Sequence, residues 1–340
     1  MKKIIYAFLI GASISFVGCK KADETPKYVD NSKADDASGR NELDKVYNDI
    51  QTVYNSQEYA NSSTMRTTGV ILPCGSVTLN TKNFTIQYNG VNCGSRTLSG
   101  SIDVTLLTSG VFSDPNAKLK IVYHNYKVLY YTNNQSITYN GTMYVTNGPN
   151  GGTLLSLFTT TPATVVHKVR GQLSLTFDST GTGNHNVIRE WNVFRKNTYT
   201  SNGTQTGITW SVQGDTSIPA DTYIPGTYAS TSEYGLSRDG DKFVCELSTP
   251  FAWSNCGSSY AGPYILKQGK VEYTVDLTTN PIALLGIKKG TWSATAGYRY
   301  DSPNNYPFDG SCNSNGYKLD LAFKNSSGAN VYSSTSFQAY

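Results

Sequence analysis

The chain has 340 residues, a formal net charge of +4 and only 15% charged residues. This composition excludes a highly charged disordered chain and a helical bundle rich in Ala, Glu, Lys and Leu, and the lack of a basic block gives no support for a nucleic acid partner. The 25 tyrosines, together with many threonines, favour β-strands, because these side chains suit a half-buried pleated surface.

The first residues, MKKIIYAFLIGASISFVGC, have the features of a bacterial export signal. Two lysines precede an apolar stretch over 4–17 that is too short to cross a bilayer as a permanent helix. Val17, Gly18 and Cys19 resemble the cleavage site of lipoprotein signals, where a small residue precedes the cysteine that receives the lipid. We therefore predict a signal peptide over 1–18 and a lipid on Cys19. The alternative is an ordinary signal peptide with an incidental cysteine.

The segment after this cysteine is polar and mixed in charge, which predicts a flexible tether over 19–40. The acidic Asp23 and Glu24 come soon after Cys19. By resemblance to Bacteroidota lipoproteins, this arrangement indicates an outer-membrane location, lipid-anchored, or display on the cell surface.

Helical periodicity follows the tether. Apolar side chains recur on one face at intervals of three and four residues, which predicts an amphipathic helix over 41–60 that packs on the domain. The alternative is a helix that meets a membrane or a partner. The apolar side chains are Leu43, Val46, Tyr47, Ile50, Val53 and Tyr54.

From residue 62 onward, apolar and polar residues alternate and turn residues interrupt the pattern. This predicts an all-β domain over 62–340, an antiparallel meander of about fifteen strands that forms either an open extended sheet or a sandwich. A two-lobe division near 214–225 is an alternative organisation. Several strands begin with a glycine, as in GSIDVTL at Gly100 and GTMYVTN at Gly141, and these glycines are expected to allow bends or cover by aromatic rings.

One hairpin can be given a register from its sequence. The segments 119–132 and 135–147 flank two asparagines that tolerate a tight turn, which pairs Thr132 with Gln135 and puts His124 on an apolar face. The opposite, solvent-facing side then carries tyrosines that we predict as a ligand-binding face. These are Tyr123, Tyr131 and Tyr144.

Five cysteines follow the signal, and exported proteins form disulfides. Cys74 and Cys93 flank a predicted hairpin, which favours a bridge between them. Cys245 lies on an apolar strand face and is predicted to be buried outside any bridge, which leaves Cys256 to pair with Cys312. The Cys and His spacing is not typical of a metal site, so we predict no metal.

Four passages of the chain resemble phrases found in a group of β-rich Bacteroidota lipoproteins. They are FTIQYNGVNCGSRTLSGSIDVTL, YHNYKV with ITYNGTMYVTN, RGQLSLTF with REWNVFR, and DGDKFVCELSTPFAWSNCG with GKVEYT and CNSNGYKLDLAF. Together they span 84–323. The resemblance implies a β-rich secreted lipoprotein and the same two cysteine pairs, and it brings no activity.

Catalysis has little support in the sequence. The three histidines (His124, His167 and His185) lack an acid partner in sequence, and no serine lies in a Gly-x-Ser-x-Gly elbow. Paired acids for glycoside hydrolysis would come from Glu190, Glu233, Glu246 and Glu272.

Among these acids Glu190, beside Trp191, is the best candidate for a shielded acid. The alternative is a cross-strand partner for Arg195. RDGDKF and DSPNNYPFDGS could offer oxygen ligands to calcium, but both already read as Asp-Gly turns. We predict no catalytic residue and no cofactor.

These observations favour a lipid-anchored surface protein that binds a ligand without catalysing a reaction. Exposed tyrosines among Asn and Thr suit stacking and hydrogen bonding to sugars, so a glycan-type ligand is the expected partner besides the membrane that holds the N-terminal lipid. The alternatives are a purely structural or adhesive protein, with another surface protein as its partner, and a glycan-acting hydrolase.

Overall fold

The computed structural model describes residues 27–60, 68–130, 135–159, 163–179, 187–202, 207–215, 231–238, 240–256, 264–277, 287–298, 312 and 316–339. These residues form three helices and fifteen strands. The helices are α1 (Lys27–Tyr54), α2 (Gln57–Ala60) and α3 (Ser156–Thr159). The strands are β1 (Thr68–Ile71), β2 (Ser76–Asn80), β3 (Asn83–Cys93), β4 (Arg96–Leu106), β5 (Lys118–Tyr130), β6 (Gln135–Asn147), β7 (Ala163–Ser179), β8 (Val187–Ser201), β9 (Ile208–Gly214), β10 (Thr231–Leu236), β11 (Lys242–Asn255), β12 (Tyr264–Asp276), β13 (Ile287–Tyr298), β14 (Gly316–Asn325) and β15 (Asn330–Ala339).

All fifteen strands belong to one sheet, and every pair of neighbours is antiparallel, which confirms the predicted all-β meander. Consecutive strands are neighbours from β1 to β8 and from β10 to β15, because short connections join antiparallel strands. The sequence left open whether the strands form an open extended sheet or a sandwich, and the described strands form one continuous sheet. In the described part of the chain, no helix has the length and hydropathy needed to cross a bilayer.

Strands β9 and β10 share one position of the sheet, between β8 and β11. β9 pairs with the second half of β8 and β10 with its first half, and both run antiparallel to β8. They are therefore successive parts of one interrupted strand. The predicted two-lobe division near 214–225 falls at this interruption, where 216–230 lie outside the described residues, and β11 pairs with both parts.

One face of the sheet, here called the inner face, packs against α1. Its apolar side chains join those of the helix in a single core cluster. Ile121 of β5 and Trp253 of β11 lie five strand positions apart, yet both line the same cleft against α1. Five positions of a flat sheet would separate them by about 24 Å. The sheet therefore curves around the helix.

The apolar face of α1 is buried as its periodicity predicted. Leu43, Val46, Ile50 and Val53 are all buried in the core. Their burial accounts for most of the helix's stability, since an isolated helix of this polarity would be marginal in water.

The start of α1 differs from the prediction. The helix begins at Lys27, so the expected tether over 19–40 is wrong for 27–40. The polar side chains of 27–40 gave no sign of this earlier start. A helix that is already nucleated extends at little cost, so these residues need no apolar face to be helical. Gly39 also packs on the sheet: a Cβ there would lie 3.0 Å from the Trp191 ring.

Polar contacts fix the orientation of α1 on strands β3 to β5. Glu42 is fully buried and accepts hydrogen bonds from Arg96 and from the Tyr130 hydroxyl, the latter at 3.1 Å. Two turns later, Asp49 accepts a hydrogen bond of 2.8 Å from the Tyr88 hydroxyl. A carboxylate buried against the sheet needs such partners, because unpaired burial of a charge is costly.

The β5–β6 hairpin has a different register from the predicted one. Gln135 pairs with Tyr130, whereas the prediction paired it with Thr132. The residues between the two strands, 131–134, lie outside the described part of the chain, and Tyr131 is among them.

A β-bulge in β5 reverses the predicted faces of two residues. Asn125 adopts a φ of +50°, and the pairing with β6 shifts between Tyr123 and Tyr126. The extra residue of a bulge interrupts the alternation of side chains. Tyr123 therefore lies on the inner face and is only 4% exposed, while His124 is exposed and pairs with Asp103. Both face predictions are wrong.

The predicted cysteine pairing is confirmed. Disulfides join Cys74 to Cys93 and Cys256 to Cys312. Cys245 is buried on the inner face of β11 and takes part in neither bridge.

Candidate functional site

A cleft of about 70 Å³ lies between α1 and the inner face of the sheet. We call it the aromatic cleft. It is lined by Leu43, Asp44, Tyr47, Asn48, Ile121, Tyr123, Met143, Val145, Leu154, Val169, Val193, Arg195, Asn197, Tyr199, Trp210 and Trp253. Asp44, Asn48, Asn197 and Trp210 are only partly buried, so the cleft opens to solvent on their side.

Three stacked aromatic rings form one wall of the cleft. Tyr199, Trp210 and Trp253 lie opposite one another on β8, β9 and β11. The ring centroids of Trp210 and Trp253 are 4.3 Å apart, and those of Tyr199 and Trp210 are 5.7 Å apart, with interplanar angles of 18° and 12°. Side chains directly across a ladder share one face of the sheet, so register alone places these rings in a row.

Beside this wall, three polar atoms have no hydrogen-bond partner among the residues that the structure describes. They are Nε of Arg195, Oδ1 of Asn197 and Nε1 of Trp210. Two of them are donors and one is an acceptor. Buried polar atoms in native proteins normally have partners, so each of these atoms calls for an explanation such as water or a ligand.

Arg195 is held in place by a buried carboxylate. Glu233 of β10 is fully buried and accepts hydrogen bonds from the Arg195 guanidinium and from Trp191 Nε1, the latter at 2.9 Å. The ion pair neutralises the charge of Arg195 and fixes the plane of its guanidinium group. Its Nε is therefore preorganised as a donor at the cleft.

The helix side of the cleft contributes Tyr47, whose hydroxyl is hydrogen bonded to Nδ1 of His167 on β7. Burial lowers the pKa of His167 to about 4, so its imidazole is neutral at pH 7. The Nδ1 atom of neutral His167 can accept a hydrogen bond from the Tyr47 hydroxyl, which ties α1 to the sheet at the edge of the cleft.

Asp44 gives the cleft its negative charge. Burial, and secondarily the charge of Asp44, raise the pKa of both Tyr123 and Tyr199. The two phenols therefore stay protonated at any physiological pH and remain available as hydrogen-bond donors.

The tyrosines predicted as a ligand face do not lie together. Tyr123 lines the aromatic cleft on the inner face instead of the solvent face, because of the bulge in β5. Tyr144 is half-buried on the outer face, with Lys118 Nζ 4.7 Å from its ring centroid. Tyr131 is outside the described residues.

The remaining acid and base candidates are dispersed. Glu190 is exposed, and the buried partner of Arg195 is Glu233, so the proposed pairing of Glu190 with Arg195 is wrong. His185 and the second calcium candidate, 301–311, lie outside the described residues. Within the described ranges, no group of three or more His, Cys, Asp or Glu side chains could hold a metal ion.

Two of the predicted glutamates do meet on the outer face. Glu246 lies directly opposite Glu272 in a polar groove of about 550 Å³ over strands β11 to β15. Lys270 Nζ is 2.6 Å from a carboxylate oxygen of Glu272. An acid pair facing one groove is the arrangement that the hydrolase alternative needs.

The residues that define the cleft were not identified from the sequence. Nothing in the sequence singles out Trp210 or Trp253 as site residues, and Arg195 is predicted only as a possible partner for Glu190. Alternation of polar and apolar residues predicts the face on which each of these side chains lies. The cleft also depends on the pairing of β9 with both β8 and β11, which no local sequence pattern shows. Comparisons with protein-family models, with curated proteins and with solved structures found no match for this chain.

Proposed function

We propose that this protein is a lipid-anchored lipoprotein of the outer membrane or cell surface whose β domain binds a glycan-type ligand in the aromatic cleft, without catalysing a reaction. One observation carries the proposal. A wall of stacked aromatic rings and three polar atoms without partners among the described residues lie side by side in one cleft.

The chemistry of the cleft suits a sugar better than a purely apolar ligand. A pyranose ring has C–H groups on its faces, which pack on aromatic rings, and hydroxyl groups around its rim, which both donate and accept hydrogen bonds. Arg195 and Trp210 offer donors and Asn197 offers an acceptor. An apolar ligand would leave these atoms buried without hydrogen bonds, at a cost of about 1–3 kcal/mol each.

The size of the cleft limits how much of a glycan it can take. At about 70 Å³ the cleft is much smaller than typical ligand pockets of roughly 300–1,000 Å³, so it holds only part of a glycan. Trp210 is partly exposed, which leaves room for the rest of the ligand at the surface. A terminal sugar fits these dimensions better than an internal stretch of polymer.

The proposed location is supported by the N-terminal sequence and by the disulfides. The short apolar stretch and Val17, Gly18 and Cys19 are typical of a lipoprotein signal. The two bridges of the β domain are of a kind that persists in oxidising, extracytoplasmic compartments. The membrane, through the lipid on Cys19, is then the first partner of the protein.

Glycan-array binding by purified protein tests the ligand. We expect Trp210→Phe, which keeps an aromatic ring and removes the N–H, and Asn197→Leu to weaken binding about three- to tenfold each, as the loss of one hydrogen bond predicts. Tyr144→Ser on the outer face is the control and should bind as the wild type does. A wild-type protein without glycan binding contradicts this ligand and favours the structural or adhesive alternative.

The non-catalytic part of the proposal has its own test. Incubation of the protein with the same glycans should release no reducing sugar. The non-catalytic assignment would be overturned if reducing sugar were released by the wild type and by Asn197→Leu but not by Glu246→Gln or Glu190→Gln. That result would locate hydrolysis outside the cleft.

A further inference from the structure

The aromatic cleft presents its polar and apolar groups in a fixed order of depth. Asn197 is partly exposed at the opening, and its Oδ1 accepts no hydrogen bond from the described residues. Arg195 is only 8% exposed and offers its Nε as a donor. Val193 is fully buried. From the opening inward, the cleft therefore offers an acceptor, then a donor, then an apolar surface.

This order follows from the strand that carries the three residues. Val193, Arg195 and Asn197 are alternate residues of β8, so their side chains share the inner face and successive Cα atoms are about 6.6–6.8 Å apart. Tyr199 is the next residue of the row, and Trp210 of β9 lies directly opposite it. The indole of Trp210 is thus a diagonal neighbour of Asn197 at the opening.

We propose that the glycan recognised by this cleft ends in a 2-acetamido sugar, which presupposes the glycan binding proposed above. The acetamido group enters the cleft, and the sugar ring stays at the opening against Trp210. In this group the N–H is next to the sugar ring, the C=O follows, and the methyl group is at the far end. The N–H then donates to Asn197 Oδ1, the C=O accepts from Arg195 Nε, and the methyl group packs on Val193.

The size and lining of the cleft suit one acetamido group better than a whole sugar. Pockets for complete small molecules measure roughly 300–1,000 Å³, and this cleft measures about 70 Å³. Its inner surface is apolar, with Ile121, Met143 and Val145 all buried. A sugar hydroxyl against these side chains would lose its hydrogen bonds to water, whereas a methyl group has none to lose.

Charge distinguishes this ligand from an acidic sugar. Asp44 and Arg195 are the charged side chains among the described lining residues, and Glu233 neutralises Arg195. Asp44 leaves the cleft with a negative charge, which repels the carboxylate of a uronic acid. A carboxylate also has no proton to donate to Asn197 Oδ1. The neutral acetamido group has a donor and an acceptor and avoids both problems.

Paired glycans that differ only in the terminal sugar test this recognition. One pair ends in N-acetylglucosamine or glucose, and the other in N-acetylgalactosamine or galactose, on the same linker. In at least one pair, we expect the wild-type protein to bind the acetamido member about tenfold more tightly, because the hydroxyl member leaves Arg195 Nε buried without an acceptor.

A variant that fills the apolar end of the cleft should remove this preference. Val169 lies directly opposite Arg195, is only partly buried and lines the cleft, so the extra methyl group of Val169→Ile enters the cleft. We expect this variant to bind the two members of a pair within about threefold of each other. Val244→Ile makes the same change on the outer face, in the polar groove, and should keep the wild-type preference.

The possible failures are distinguishable. Glycan binding without a preference in either pair would overturn the acetamido assignment and leave glycan binding itself standing. A preference that Val169→Ile leaves unchanged would also overturn the assignment, because the acetamido group would then bind outside the cleft. If the wild-type protein binds no glycan, the proposed function fails and the acetamido assignment fails with it.

Discussion

Asp49 and His167 are two titratable residues between α1 and the inner face of the sheet. Burial raises the pKa of Asp49 to about 6, although the hydrogen bond from Tyr88 acts against the rise. Burial lowers the pKa of His167 to about 4. The position of each side chain thus favours its neutral form, so the pKa of Asp49 rises while the pKa of His167 falls.

Between about pH 4 and pH 6 these residues change the free energy of unfolding in opposite senses. Folded Asp49 keeps a proton that the unfolded chain has released, so its contribution to stability falls as the pH rises. Unfolded His167 binds a proton that the folded chain lacks, so its contribution rises with pH. Each slope reaches at most about 1.4 kcal/mol per pH unit, and in the wild type the two largely cancel.

We therefore predict that Asp49→Asn, which still accepts a hydrogen bond from Tyr88, makes the free energy of unfolding rise with pH over this range. His167→Gln should make it fall. Chemical denaturation at several pH values measures both slopes. Identical slopes in the wild type and in Asp49→Asn would contradict the assignment of Asp49.

The sequence could not show the setting of His167. The sequence shows only a histidine without a nearby acid partner, because its hydrogen-bond partner Tyr47 is 120 positions away along the chain. The same limit applies to Trp210 and Trp253. Their residue types indicated aromatic packing, while the cleft that they line depends on the pairing of β9 with two other strands.

At the scale of elements, alternation predicted the strands well and failed where a strand gains an extra residue. The bulge in β5 depends on contacts with its neighbours. The backbone N–H of Asn125 donates to the side chain of Asn140 on β6 at 2.8 Å, and Gly100 of β4 lies directly beside it. Sequence within β5 does not contain this information, so the predicted faces of Tyr123 and His124 were reversed.

The glycine that faces this bulge should be sensitive to substitution. Gly100 has a φ of +89°, and a Cβ there would lie 2.2 Å from the carbonyl oxygen of Asn125. Gly90 has a similar φ of +72°, but a Cβ there would meet nothing within 4 Å. Both alanine variants carry the backbone cost of about 1–2 kcal/mol, and only Gly100→Ala adds a clash.

We predict that Gly100→Ala lowers the free energy of unfolding by roughly 1–3 kcal/mol more than Gly90→Ala does. Urea denaturation of the two variants measures the difference, and the shared φ makes Gly90→Ala the matched control. Equal losses would show that the bulge yields to the added methyl group.

At the scale of the whole molecule, the sequence predicted one all-β domain with an N-terminal helix, but not how the two are combined. Period-two alternation shows that one face of each strand is buried, and it does not show what covers that face. Here α1 and the curvature of the sheet cover it together, so that Ile121 and Trp253 line one cleft. Curvature arises from many strands at once and has no signature in any single one.

The whole molecule is expected to be held at the membrane by its N-terminus. The apolar stretch over 4–17 is too short for a permanent span, and we expect it to be removed with the signal. A lipid on Cys19 would then be the anchor, since each buried CH₂ contributes about 0.8 kcal/mol and several acyl chains together hold firmly. Cys19→Ala should therefore move the protein from the membrane fraction to the soluble fraction. Cys245→Ala, which removes a buried cysteine outside both bridges, is the control and should stay with the membrane. A Cys19→Ala protein that still requires detergent for extraction would contradict the lipid anchor.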